Sequence, residues 1–101
     1  MFWFIREGDM MKQELKVGDT VRIKESAYRP WTLEQTMEGD MVVVKIDETP
    51  FENAPPDVPR SIMLERADGE CFTAVYSGEV FDYQQEQFYE DDLELIERRR
   101  F

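Results

Sequence analysis

Carboxylates are the side chains of this chain with the clearest capacity for chemistry, and they are concentrated in its last third. The 101 residues have a net charge of −11. Residues 67–97 contain ten Asp and Glu side chains and no Lys or Arg. Carboxylates at this density could hold a divalent cation, act as the acid and base of a glycoside hydrolase, or present negative charge to a basic surface.

The first two chemistries lack supporting residues. The cluster Glu90-Asp91-Asp92 with Glu94 has neither the spaced ligands nor the turn glycine of a calcium-binding loop. No carboxylate pair stands out for hydrolysis, and a single domain of this size leaves little room for a substrate cleft. The absence of histidine removes the commonest general base and metal ligand. We therefore predict a protein that is not an enzyme and binds no metal or cofactor.

Recognition of a basic partner is the chemistry that residues 79–97 favour, because acids and aromatics are interleaved there. The predicted acidic face consists of Glu79, Asp82, Glu86, Glu90, Asp91, Asp92 and Glu94. The predicted aromatic group consists of Tyr28, Trp31, Phe81 and Tyr83. One alternative stays open: the aromatics fill the core, and the acids form a solvated surface that only keeps the protein soluble.

The single cysteine, Cys71, excludes an internal disulfide and favours a reducing, cytoplasmic compartment. It precedes Phe72 on a predicted strand, which favours a buried and inert thiol. No apolar run approaches the roughly 20 residues needed to span a bilayer. The apolar run of residues 1–5 is too short for a secretory signal.

An Asp-Gly pair at the centre of residues 60–76 predicts the element around which the fold is organised. Two runs rich in apolar residues flank the pair, which is the pattern of a β-hairpin. A three-residue loop over 67–69, with Gly69 at positive φ, places Leu64 opposite Phe72. We expect this register, because a one-residue slip would pair apolar side chains with polar ones.

Alternation of apolar and polar residues predicts three further strands, over residues 20–24, 41–47 and 90–96. The expected inward-facing side chains are Val21 and Ile23 in the first strand, Val42, Val44 and Ile46 in the second, and Leu93 and Leu95 in the last. Long loops are expected over 25–38, with one helical turn after Thr32, and over the proline-rich residues 48–60. A short helical turn is expected within residues 80–89.

The opening strand, LKVGDTVRI at residues 15–23, resembles the first strand of Src-homology-3-like barrels, including the KOW and Tudor groups. The closing segment, YEDDLELI at residues 89–96, resembles the final strand of short bacterial and phage proteins with that barrel. The order of strands, long loops, tight hairpin and short turn also fits. The resemblance implies an all-β fold, a small five-stranded Src-homology-3-like barrel with long first and second loops.

Three regions follow from this interpretation: an N-terminal extension over 1–14, the barrel over 15–97, and a basic C-terminal tail over 98–101. Two alternatives remain for the extension. The natural start is Met10 or Met11, in which case a chain lacking residues 1–9 keeps its thermal stability. Otherwise Phe2, Trp3 and Phe4 form an extra strand or pack on the barrel.

The leading functional hypothesis is a non-catalytic acidic binding module that engages a basic or nucleic-acid-handling protein partner. In size and charge the chain resembles small acidic phage proteins that disable host enzymes, which implies a phage-type inhibitor that mimics nucleic-acid charge. The alternative is a KOW- or Tudor-like module that associates with nucleic acid through its less acidic side. Its candidate contacts are Arg22, Lys24, Arg29 and Lys45. Direct nucleic-acid binding is disfavoured by the net charge.

Overall fold

The computed structural model describes residues 14–48, 52–55 and 57–98, and these residues confirm a predominantly β fold. The seven strands of the described residues are β1 (Thr20–Ile23), β2 (Met41–Asp47), β3 (Ser61–Arg66), β4 (Phe72–Tyr76), β5 (Glu79–Tyr83), β6 (Glu86–Tyr89) and β7 (Leu93–Glu97). Two 3₁₀ helices, Glu25–Ala27 and Glu90–Asp92, and one α-helical turn, α1 (Glu34–Met37), complete the elements. The turn α1 confirms the helix expected after Thr32.

The strands form two sheets, and the prediction of a closed five-stranded barrel is wrong for the described residues. Five strands make an antiparallel sheet in the order β6-β3-β2-β1-β7, and β4 pairs with β5 in a separate two-stranded sheet. The strands β6 and β7 lie at opposite edges of the larger sheet and do not pair with each other, so that sheet is open. The strand count rises from five to seven because residues 79–89, expected to contain a helical turn, form β5 and β6.

The hairpin predicted between β3 and β4 does not form, although its turn does. Gly69 has a φ of +82°, as predicted, and its amide donates to the Arg66 carbonyl at 3.1 Å. The predicted pairing of Leu64 with Phe72 is wrong, because β2 and β6 occupy both edges of β3. Leu64 instead lies opposite Val43 and Glu86.

The hairpin that forms is β4–β5, closed by Ser77 and Gly78. Both residues have positive φ, +52° and +81°, as a two-residue type I′ turn requires. The turn places Tyr76 opposite Glu79. Residues 80–89 therefore belong mainly to β5 and β6, and the helical turn expected there is absent from the described structure.

The core lies on one face of the five-stranded sheet and closes against Phe72 of β4. Its buried members are Leu15, Val21, Ile23, Met37, Met41, Val43, Ile62, Leu64, Phe72, Phe88 and Leu93. The predicted inward positions of β1 and β7 are confirmed, with Leu95 partly buried against the cluster. The last strand, β7, begins at Leu93, three residues later than predicted, because Glu90–Asp92 forms a 3₁₀ helix.

The inward face of β2 was predicted with the wrong phase. Met41 and Val43 are buried, whereas Val42 and Val44 are only half-buried. A register shift lies between Val43 and Lys45 in the pairing with β3. Such a bulge inserts one residue and reverses the alternation beyond it, so Ile46 then packs against the core.

The chain ends fall partly beyond the described residues. The predictions for Phe2, Trp3 and Phe4 and for residues 99–101 lie outside the described ranges. Arg98, the first residue of the predicted basic tail, donates from Nη1 to the Glu14 carbonyl at 2.8 Å and to Asp19 Oδ2 at 3.2 Å. The start of that tail is thus joined to the residues that precede β1.

Candidate functional site

Glu90 of the predicted acidic face has a structural role. Its Oε2 accepts from Arg60 Nη2 at 2.7 Å and from the Leu15 amide at 2.9 Å, and its Oε1 accepts from Arg60 Nε at 2.9 Å. Burial alone would raise the pKa of Glu90, but the Arg60 and Leu15 hydrogen bonds outweigh it and hold the pKa below its usual value. With 13% of its side chain exposed, Glu90 is unsuited to contact a partner.

Glu86 is also neutralised within the protein. Its Oε1 lies 3.2 Å from Arg29 Nη1. The Arg29 guanidinium stacks 4.1 Å above the Phe88 ring and donates to the Gln87 carbonyl. Arg29 thereby holds the long loop between β1 and β2 against the edge strand β6. The Glu86 carboxylate neutralises the positive charge of Arg29.

Asp91, Asp92 and Glu94 lie in a part of the molecule where both signs of charge are present. Lys24 donates from Nζ to the Asp91 carbonyl at 2.9 Å, and its amide donates to the Asp92 carbonyl at 2.9 Å. Glu94 is exposed on β7, directly opposite Arg22 of β1. Lys24 contacts only the backbone carbonyls of Asp91 and Asp92. None of these three carboxylates forms an ion pair with a described residue.

Glu79 and Asp82 are the acids of the predicted face that lie on the β4–β5 hairpin. Both are exposed on β5, and neither forms an ion pair with any described residue. Asp82 Oδ1 accepts a hydrogen bond from Thr73 Oγ1 at 3.0 Å, which orients the carboxylate without cancelling its charge. The seven predicted acids are therefore dispersed, and two of them lie on the hairpin.

The four predicted aromatic residues do not form one cage. Tyr28 is half-buried against the core. Burial, followed by the negative charges of Glu38, Glu25 and Glu34, raises the pKa of Tyr28. Phe81 and Tyr83 are exposed on β5, opposite Ala74 and Phe72. Trp31 is exposed in the loop before α1.

Residues 31–33 form a short extended segment that pairs with β4 on the side away from β5. Thr32 bridges to Ala74, the Leu33 amide donates to the Thr73 carbonyl at 2.8 Å, and the Val75 amide donates to the Trp31 carbonyl at 2.7 Å. Since side chains alternate between faces, Trp31, Val75 and Val80 lie in one row on the face opposite Ala74 and Phe81. Their exposed fractions are 48%, 40% and 66%.

We call Trp31, Val75 and residues 79–83 the hairpin surface. Trp31, Val75, Val80 and Asp82 lie on one face of the hairpin, and Glu79, Phe81 and Tyr83 lie on the other. It combines two uncompensated carboxylates with exposed aromatic and β-branched side chains. The sequence-based prediction missed Val75 and Val80. Ser77-Gly78 between alternating apolar residues was the available signal, because such a pair favours a two-residue hairpin turn.

The bases of the alternative nucleic-acid hypothesis are mostly engaged. Arg22 Nε lies 2.9 Å from Asp40 Oδ1, Lys24 binds the Asp91 carbonyl, and Arg29 pairs with Glu86. Lys45 is exposed on β2. A phosphate backbone would have to displace the protein's own carboxylates from two of these four side chains.

Reactive groups and metal ligands give no second site in the described part of the chain. Cys71 is half-buried rather than buried as predicted, with Sγ 3.8 Å from Gln84 Oε1. Among residues 14–48, 52–55 and 57–98, no three Cys, Asp or Glu side chains are grouped so as to hold a metal ion. The helices of these same ranges are too short to cross a membrane.

Comparison with known proteins yields no relative. No family model matches the chain, and no match is found among curated proteins or solved structures.

Proposed function

We propose that this chain is a non-catalytic binding protein whose hairpin surface engages a basic region of a protein partner. The observation on which the proposal rests is the contrast between its carboxylates. Glu86 and Glu90 are paired with Arg29 and Arg60, whereas Glu79 and Asp82 are exposed.

Exposed apolar side chains beside these two acids supply the second part of a protein interface. Interfaces take most of their binding energy from a few large apolar or aromatic anchors, and charges at the rim set partner choice and association rate. Trp31, Phe81 and Tyr83 are suitable anchors, because each has an exposed side chain. Trp31 shares one face of the hairpin with Asp82, and Phe81 and Tyr83 share the other face with Glu79. The combination favours a partner that presents basic and apolar groups together.

The net charge extends this preference beyond the hairpin. A molecule of charge −11 attracts a basic surface over a Debye length, about 8 Å at physiological salt. Proteins that handle nucleic acid have such surfaces. We therefore propose a partner that handles nucleic acid. The acidic hairpin would compete with nucleic acid for the phosphate-binding surface of that partner.

The non-catalytic character rests on residue chemistry. The chain has no histidine, and Glu79 and Asp82 lie on a strand whose residues are all exposed rather than in a cleft. A cytoplasmic location remains the prediction drawn from the single cysteine.

The finer fold relationship is also a proposal. The strand β1, a long loop, β2, a proline-rich loop, β3, β6, a short 3₁₀ turn and β7 follow the order that the resemblance to Src-homology-3-like barrels implies. We propose that the five-stranded sheet is an open form of that barrel, with β4–β5 inserted between its third and fourth strands. A function is not implied by this relationship.

The test compares two double variants with equal loss of charge. Glu79→Gln/Asp82→Asn neutralises two acids of the hairpin. Glu52→Gln/Asp57→Asn neutralises two exposed acids of the loop between β2 and β3. A protein captured from lysate is identified, purified and titrated at 50 and 300 mM salt. We expect the hairpin variant to bind up to about fivefold more weakly for each ion pair lost, because exposed pairs contribute up to about 1 kcal/mol.

The control variant should bind like the unaltered protein at both salt concentrations. Equal weakening by both variants would reduce the effect to net charge and contradict a role for the hairpin. Direct binding of the unaltered protein to nucleic acid, weakening steeply with salt, would favour the KOW- or Tudor-like alternative instead.

A further inference from the structure

The strand β5 has one unpaired edge. It pairs with β4 along its whole length, and no other described strand lies on its far side. All five of its residues are exposed. Unpaired backbone groups on such an edge can accept another strand.

The backbone groups that point out of this edge can be assigned. Thr73 and Val75 of β4 use their carbonyl and amide groups toward residues 31–33. Since bonding alternates along an antiparallel strand, Phe72, Ala74 and Tyr76 bond toward β5. Their partners are Tyr83, Phe81 and Glu79 in turn.

It follows that the amides and carbonyls of Val80 and Asp82 are directed outward, away from β4. These two residues alternate with the three that bond to β4. The free edge thus offers two donors and two acceptors, at the spacing of a β-ladder.

The edge of β6 provides a contrast within the same protein. There the Arg29 side chain donates to the Gln87 carbonyl and stacks on Phe88, so the loop between β1 and β2 covers the edge. No comparable side chain covers β5 among the described residues. The devices that protect β5 are its own carboxylates, Glu79 and Asp82, which repel acidic strands and attract basic ones.

We propose that β5 accepts an extended segment of the partner as an added antiparallel strand, with basic residues opposite Glu79 and Asp82 and apolar residues opposite Val80, Phe81 and Tyr83. This inference rests on the proposed function and specifies its mode of binding. Read from its N-terminus, the segment has the order apolar, basic, apolar, apolar, basic. Backbone bonds to Val80 and Asp82 would hold it, and the side-chain order would select it.

Charge identifies a basic segment as the occupant rather than a second copy of this chain. Four acids and no base occur between residues 70 and 86. Two hairpins brought together would place like charges near each other on molecules that each have a net charge of −11. A basic strand would reduce that charge as it binds.

A defined peptide tests the mode of binding. The probe is a fluorescent, capped peptide of sequence Thr-Ile-Lys-Val-Val-Arg-Thr, titrated with the intact protein by fluorescence polarisation. In the predicted register, the Lys amide and the second Val amide point toward β5, and the first Val and Arg amides point away. One version is N-methylated at the first pair of amides, and a matched version at the second pair.

Methylation of the pair that faces β5 should weaken binding by about tenfold or more, because two backbone hydrogen bonds are lost. Methylation of the opposite pair should change affinity by less than about threefold. Hydrogen exchange supplies an independent measurement. The Val80 and Asp82 amides should exchange more slowly when the unmethylated peptide is bound, and the Phe81 amide should already be slow in the free protein.

Each failure has a distinct signature. Equal effects of the two methylations, with binding still weakened by Glu79→Gln/Asp82→Asn, would overturn strand addition and leave the proposed function intact. Peptide binding that is unchanged by Glu79→Gln/Asp82→Asn would overturn both strand addition and the proposed function. No binding of the unmethylated peptide at millimolar protein would overturn strand addition, as would a sedimentation measurement in which the free protein dimerises through β5.

Discussion

At the scale of single residues, the carboxylates of this acidic chain differ by what lies beside them. Glu90 has the Arg60 guanidinium and the Leu15 amide within 3 Å. Asp82 on β5 has one neutral hydroxyl, that of Thr73. A charge-assisted pair in a half-buried position fixes local structure, whereas an exposed acid with a neutral partner keeps its charge available.

Replacing Glu90 by Gln should lower the free energy of unfolding by about 1–3 kcal/mol. The half-buried Arg60 guanidinium would lose its closest counter-charge and keep only the 3.5 Å ion pair with the exposed Glu48. Asp91→Asn is the control, since the Asp91 side chain is exposed and its contact with Lys24 uses the backbone carbonyl. Urea unfolding at pH 7 measures both. Equal stability of the two variants would contradict the structural role of Glu90.

The pH dependence of stability gives a second measurement of the same pair. The pKa of Glu90 is lower in the folded protein than its ordinary value of 4.5. Its stabilising contribution is therefore present above about pH 4.5 and is lost as pH falls through the lower folded value. Glu90→Gln should flatten the decline in unfolding free energy below that pH.

At the scale of elements, two turns with left-handed glycines have opposite outcomes. Gly69 follows Asp68 and joins β3 to β4, which do not pair. Gly78 follows Ser77 and joins β4 to β5, which do. A turn signal reports that the chain reverses locally, but the pairing of its flanking strands depends on whether their edges are free.

Ser77→Asn should stabilise the β4–β5 hairpin by about 0.5 kcal/mol, because Asn-Gly is favoured where both turn residues have positive φ. Ser77→Val should destabilise it by about 1–2 kcal/mol, because a β-branched residue fits that region poorly. Exchange of the Phe81 amide reports the hairpin in each variant. Identical exchange in both would contradict the type I′ assignment.

At the scale of the whole molecule, negative charge opposes folding. Ten acids without a base over residues 67–97 repel one another, and only some of them are compensated by bases elsewhere in the chain. From charge alone, amides at Glu90, Asp91, Asp92 and Glu94 together would be expected to leave folding intact. The structure separates Glu90 from the other three because of its pair with Arg60.

The triple variant Asp91→Asn/Asp92→Asn/Glu94→Gln should melt at the same temperature as the unaltered protein or higher, since it reduces repulsion. Adding Glu90→Gln should lower the melting temperature again. Raising salt from 20 to 500 mM should stabilise the unaltered protein more than the triple variant, because less repulsion is left to screen. A triple variant that is clearly less stable would contradict this account.

The sequence by itself determined most strand positions and several inward faces. Val21, Ile23 and Leu93 are buried as alternation predicted, because the period of two along a strand is set by local backbone geometry. Gly69 was predicted at positive φ for a similarly local reason.

Tertiary structure decided which strands pair and which acids stay open. β3 is flanked by β2 and β6, so β4 had no edge of β3 to join and paired with β5 instead. The shift after Val43 reversed the phase of β2, and Arg60, thirty residues away in sequence, neutralised Glu90. Pairing, bulges and ion pairs depend on competition among distant segments for the same edges and charges, and no local pattern specifies the outcome of that competition.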